Sequence, residues 1–256
     1  PRVYDGSGKP LPPVEMRPAD LLAIPAIGLT AIFAVLRFTN FALASHMTIG
    51  AYAGFVANVS LGAPIYLSLL AAFIIAGLIG WLSDEVVLKP FRAAGFITTA
   101  IGSIALTIAL ENIVRFIFTN QMRGYDLPIK RDWVISGLRI GPQQAENLLI
   151  AVLIMAALFA FLALPRTGKA MRAVADNPML ASIKGIDGDM MARVVSFVAM
   201  GLAGVGGMLI GLDTTIDPLV GFKTILSVFA AAYLDPALDT WGGLGIAVQA
   251  YSKRAI

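Results

Sequence analysis

The 256-residue chain contains no cysteine, which excludes a disulfide framework and any thiolate metal site. It has one histidine, His46, so a metal centre built from several imidazoles is excluded too. Charge is scarce: Asp, Glu, Lys and Arg make up 14% of the residues, against roughly a quarter in a soluble domain. The net charge of +3 is too small and too scattered to point to nucleic acid. Enzyme signatures are missing as well, with no G-x-G-x-x-G before a helix, no H-E-x-x-H and no nucleophile elbow. Gly6-Ser7-Gly8-Lys9 resembles part of a P-loop, but Pro10 stands where the Ser or Thr belongs and the first glycine is absent. The chain is therefore expected to be no enzyme and to bind no metal or cofactor. Any energised work would need nucleotide held by another subunit.

What is present is apolar. Hydrophobic residues reach 58%, and they gather into runs near the roughly 20 residues that a helix needs to cross a bilayer. The runs are Leu21–Leu36, Phe41–Val59, Pro64–Leu82, Phe96–Phe118, Asn147–Leu164, Val194–Leu212 and a short Phe222–Leu234. Polar connectors occupy 83–95, 119–146 and 165–193. This pattern predicts an all-α polytopic membrane protein, a multi-helix transmembrane bundle over residues 21–234, preceded by a polar, Pro-rich tail at 1–20. The tail lacks the apolar core of a signal peptide, and with no starting Met the chain reads as a fragment or a processed form. Only Arg37-Phe38-Thr39-Asn40 separates the first two runs, too few residues for a water-exposed loop. A broken or re-entrant backbone is expected around Asn40, Phe41 and Ala42, with Asn40 offering hydrogen bonds to freed backbone groups or to solute.

Small residues recur at four-residue spacing in two runs: Ala199, Ala203, Gly207 and Gly211 in one, Ala72, Ala76 and Gly80 in another. Such stripes let helix backbones approach closely in lipid, and packing inside the bundle is the expected use. Ionisable residues inside a run are costly in a membrane, so Glu111, Asn112 and Arg115 stand out. Glu111 and Arg115 have the spacing and order of a self-neutralising pair, and Glu111 and Asn112 are candidates for a polar path. His46 reads as a polar interior residue, and Asp213 and Asp217 as solvated loop residues. The 165–193 connector contains a short helix with its caps written out. Asn177 is the N-cap, Pro178 the first helical residue, Met179–Lys184 the body and Gly185 the left-handed stop. Connectors 83–95 and 165–193 are expected on one side. They carry seven Lys and Arg together, as do the tail and 119–146, so charge does not orient the chain.

Three segments resemble the permease subunits of bacterial ABC importers for branched-chain amino acids. Val35-Leu36-Arg37-Phe38-Thr39-Asn40-Phe41-Ala42, then Gly50-Ala51-Tyr52, is similar to that family's G-V-L-R-x-x-N-F-A…G-A-Y stretch. Lys89-Pro90-Phe91-Arg92 followed by Thr98 to Asn112 resembles its R-P-L-R…T-I-G-L-S-x-x-L-x-N stretch, and Thr167 to Ile186 resembles its cytoplasmic loop. The resemblance implies a multi-pass protein of the bacterial inner membrane and makes the capped helix a coupling helix. Ala175, Asp176, Asn177, Pro178, Ala181, Gly185 and Ile186 would face an ATPase subunit, with Ala181 small enough for close seating. It also implies a second permease, partner ATPase subunits carrying ATP and magnesium, and a periplasmic solute-binding protein. Urea or short amides are the alternative cargo on the same scaffold, and a passive channel the alternative mechanism. Leu43-Ala44 departs from a His-Gly pair common in the family. At the other end, Asp235, Pro236 and Asp239 oppose continuation of the last helix, so 235–256 is expected to be a reshaped or truncated end.

Overall fold

The computed structural model describes residues 19–126, 133–135, 138–140 and 142–233. Residues 1–18 of the tail and the 235–256 segment lie outside the described residues, and α1 takes in the last two positions of the expected tail. The fold is helical, as expected, with one small hairpin. Helix α1 is Ala19–Leu36, α2 Leu43–Phe55, α3 Ile65–Ser83, α4 Lys89–Arg92 and α5 Phe96–Phe118. Strands β1 (Trp133–Ile135) and β2 (Leu138–Ile140) then pair antiparallel, Trp133 facing Ile140. Helices α6 (Pro142–Ala163), α7 (Arg166–Asp176), α8 (Pro178–Ile183), α9 (Gly188–Asp213) and α10 (Val220–Tyr233) complete the chain.

Four helical segments are long and apolar enough to cross a membrane among the described residues: Ile65–Arg92, Phe96–Phe118, Ala145–Ala163 and Gly188–Asp213. The remaining apolar runs form shorter helices, because Arg37–Ala42 cuts the first two apart and α10 is only 14 residues long. Of these, α2 is enclosed by the bundle, whereas α10 leaves Phe222 and Leu226 exposed. Every residue from Ala42 to Tyr52 is buried, and in the irregular backbone before α2 Phe38 and Asn40 are buried, Thr39 and Phe41 half-buried and Arg37 exposed.

Helix α9 is the axis of the bundle, with every residue from Ala199 to Leu212 buried and with α1, α2 and α3 packed around it. It fills this position because its side chains are small on several faces at once. A Cβ on Gly28 of α1 would lie 2.8 Å from the Ala199 carbonyl oxygen, and one on Gly207 would lie 2.0 Å from that of Met47 on α2. Gly204 is pressed between α2 and α3, its Cβ position 2.4 Å from the Ala76 side chain and 3.3 Å from Gly50 Cα. The stripe expected from Ala199, Ala203, Gly207 and Gly211 is thus internal packing, but it serves several neighbours rather than one. Ala72, Ala76 and Gly80 supply the α3 side of the same crossing, a Cβ on Gly80 falling 2.3 Å from Met200.

The connectors sort to two ends. Glu85 accepts from Arg193 at 3.0 and 3.1 Å and from Lys89 at 2.7 Å, and Lys89 also meets Asp189 at 3.2 Å. These pairs hold 83–95 against the start of α9, so the two connectors expected on one side are joined there. At the opposite end the Asp126 N–H donates to Asn58, Tyr125 donates to the Ala51 carbonyl at 2.8 Å, and Arg123 pairs with Ile216 through both backbone groups.

Candidate functional site at the loop end

The short helix α8 is built by its caps. Asn177 Oδ1 accepts the Leu180 N–H at 3.0 Å, Pro178 opens the helix, and Gly185 stops it at φ +80°. The Gly185 N–H bonds the Ser182 carbonyl and the Ile186 N–H reaches back to Ala181, a Schellman closure. The helix runs Pro178–Ile183, one residue earlier than the caps suggested, since Lys184 already departs from helical geometry. Asn177 serves twice, its own N–H also closing α7 onto the Ala173 carbonyl.

The faces of α8 differ from expectation at one residue. Ala181 is 4% exposed and packs with the core that includes Met171, Val174 and Met191, so its small side chain seats α8 on its own scaffold. A partner on the outer face would not meet it. The outward residues are Met179, Leu180 and Ile183, exposed by 76%, 58% and 73%. Asp176, Asn177, Pro178 and Gly185 are also on the surface, whereas Ile186 is half-buried against the core. The outer apolar residues were legible as a pattern. Two of them, Leu180 and Ile183, sit at i,i+3, and Met179 stands i,i+4 from Ile183.

Next to this loop lies the break between α1 and α2. Residues 37–42 leave helical geometry, Arg37 taking a left-handed φ of +58° that non-glycine residues seldom adopt. Asn40 is fully buried, and its Oδ1 accepts the Ala42 N–H at 3.0 Å, as its position in an irregular segment suggested. The Phe41 N–H donates to Ser103 Oγ on α5 at 3.0 Å, and the Phe41 ring lies 5.0 Å from that of Phe229 on α10. Ala42 is buried with Phe38, Leu88 and Leu106. The carbonyl of Ala42 also receives His46 Nδ1 at 2.6 Å, while His46 Nε2 faces Ser83 Oγ at 3.4 Å. His46 is the interior polar residue that its surroundings in the sequence implied.

The polar residues of α5 separate. Glu111 is 6% exposed with Oε1 lacking a hydrogen-bond partner, but Asn112 is exposed and turns its amide to the Ile108 carbonyl at 2.7 Å. One residue is about 100° of helix, and here that step takes Glu111 into the bundle and Asn112 to its surface. Among the described residues Glu111 and Arg115 form no ion pair; Arg115 Nε is buried without a partner, as is the Tyr52 hydroxyl. Asp217 is not a freely solvated loop residue either. It pairs with Lys223 and accepts the Leu219 N–H at 2.9 Å. Burial by itself pushes its carboxyl up, but the bonds from Lys223 and Leu219 and the charges of Lys223 and Arg115 hold it below the usual carboxylate value. Burial pushes the Tyr125 phenol well above its ordinary value.

Sequence reasoning missed the ion pair between Asp84 and Arg92. Asp84 is 2% exposed and lies in the widened helical turn Asp84–Leu88 that continues α3. Arg92 also stands 5.9 Å over the Phe38 ring. Acidic residues closing an apolar run, with bases four and eight positions on, were the available signal.

No solved structure matches the chain. It is 30% identical over 239 residues to the high-affinity branched-chain amino acid transport system permease protein LivH of Salmonella typhimurium and, equally, to that of Escherichia coli K12. Those alignments cover 87% of this chain and 75% of each relative. The corresponding protein BraD of Pseudomonas aeruginosa is 26% identical over 87% of this chain and 75% of its own length. Residues 17–234 match a family model described as the branched-chain amino acid transport system permease component, and the chain belongs to that family.

Proposed function

We propose that this chain is a permease subunit of an ATP-driven importer in the bacterial inner membrane, moving branched-chain, hydrophobic amino acids. Its partners are ATPase subunits that hold ATP and magnesium, a second permease and a periplasmic solute-binding protein. The chain itself supplies a path and a lever rather than catalysis. One observation supports this reading above the others: the doubly capped α8 turns Met179, Leu180 and Ile183 outward while Ala181 anchors it to α7 and α9. An aqueous loop has no reason to expose three large apolar side chains on a rigid turn unless a partner covers them. That partner is the ATPase, seated on Met179, Leu180 and Ile183. Asn40, Phe41, Ala42 and Glu111 are assigned to the translocation path, where buried polar groups in a membrane belong. Asn112 is not retained.

The test is the assembled transporter in vesicles, with ATP hydrolysis measured with and without loaded binding protein. Leu180→Asp places a charge in the proposed contact and should abolish the stimulated hydrolysis while leaving the folded permease intact. Full stimulation in this variant would refute the assignment. Uptake of leucine, urea and acetamide by the unaltered complex decides the cargo; uptake without ATP would make it a passive channel.

A further inference from the structure

We propose that Arg37 is a tie between the coupling loop and the break in the translocation path, delivering movement of α7 and α8 to residues 37–42. The inference rests on the reading of 165–193 as the ATPase-facing loop. The Arg37 guanidinium donates to the Ala175 carbonyl at 2.5 Å, across 138 positions of sequence. Ala175 lies in the last turn of α7, where carbonyls have no partner within the helix and the helix dipole is negative. A cation there is doubly favoured. The carbonyl that Arg37 grips is two residues from Asn177, the joint that closes α7 and opens α8. Displacement of α8 by a partner therefore reaches Arg37 through one peptide turn.

On its other side Arg37 is continuous with a segment that has hold of three elements. Phe38 lies under Arg92 of the 83–95 connector, the Phe41 N–H is bonded to Ser103 of α5, and the Phe41 ring meets Phe229 of α10. The left-handed backbone at Arg37 also bears on why an arginine stands there. A left-handed φ at a residue with a Cβ is uncommon; here it closes α1, the Arg37 N–H bonding the Phe33 carbonyl at 3.0 Å while the guanidinium reaches Ala175. A glycine would occupy this backbone without strain but could make no tie. Arginine at this position therefore serves the side chain rather than the turn.

The glycine variant separates the two roles. In the reconstituted complex, Arg37→Gly should fold and keep stimulated ATP hydrolysis to within about twofold. Solute moved per ATP should fall roughly five- to hundredfold, the span of typical couplings between sites. Arg37→Lys, a single point charge that still reaches a carbonyl, should recover part of the ratio. An unchanged ratio in Arg37→Gly would overturn the tie. If Arg37→Gly does not assemble, the same question is put to Arg37→Lys through a cysteine at Thr39, the chain having none of its own. The labelling rate at Thr39→Cys should differ between nucleotide-free and ATP-trapped complexes, and Arg37→Lys should shrink that difference; an undiminished difference overturns the proposal. Failure of the underlying reading looks different: Leu180→Asp would then leave stimulation intact, whatever Arg37 does.

Discussion

Replacing Gly50 by alanine should force α2 away from α9. The new Cβ would lie 2.1 Å from Gly204 Cα and 2.4 Å from its carbonyl carbon and oxygen. Carbon atoms rest at about 3.5–4.0 Å, so the backbones must part by roughly 1.5 Å. Helix α9 cannot recede, because Ala76 and Ala72 of α3 already press Gly204 from behind. Helix α2 must move instead, and the contact between Met47 and Gly207 opens with it. A gap of up to 1 Å forfeits a quarter to a half of each dispersion contact, and overpacking alone costs about 1–3 kcal/mol, which places this backbone clash near 3 kcal/mol. Alanine's better helix propensity returns about 1 kcal/mol, leaving a net loss of about 2 kcal/mol, roughly thirtyfold in the folding equilibrium. The assay is SDS titration of the permease in mixed micelles, followed by tryptophan fluorescence, since Trp81 sits in α3. Gly188→Ala is the control, because a Cβ there meets nothing within 4 Å. Equal midpoints for the two variants would refute the close crossing of α2 on α9.

Two further outcomes follow from the ion pairs. Asp84→Asn leaves Arg92 without its counter-charge and should cost about 3 kcal/mol, the lower end for a buried pair because Arg92 is 22% exposed. The double variant Asp84→Leu, Arg92→Met should recover most of that loss in the same titration, and a loss equal to the sum of the two single variants would show that they do not act as a pair. At the opposite end, Asp217 is held below the usual carboxylate value, so its contribution is complete above that range and disappears as pH falls through the lowered value. The mobility of a spin label attached beforehand to Thr215→Cys should therefore rise on acidification below about pH 4, the ordinary carboxylate range. Asp217→Asn should flatten the profile, and an unchanged profile would remove Asp217 as its cause.

Local signals carried a large share of this protein. Apolar runs announced the spans, because a bilayer selects for length and hydrophobicity that any window of sequence displays. The order Asn177, Pro178, Gly185 announced α8, because capping involves only neighbours within a turn or two. The break at Arg37–Asn40 was legible for the same reason, as four residues between two runs. Which way a residue faces was another matter. Ala181 and Leu180 are adjacent in sequence, yet one anchors α8 and the other is exposed, and only the position of α7 and α9 decides which. Glu111 and Asn112 divided likewise once α5 had a buried side. The small-residue spacing of α9 was visible, but not that α1, α2 and α3 would share it, since a one-dimensional stripe names no partner. The Arg37 bond to Ala175 lay beyond any local reading, because it joins residues 138 positions apart. Contacts of that kind exist only when packing has fixed the ends of two helices, so sequence determined the elements and their caps, and tertiary structure determined which of them could pull on one another.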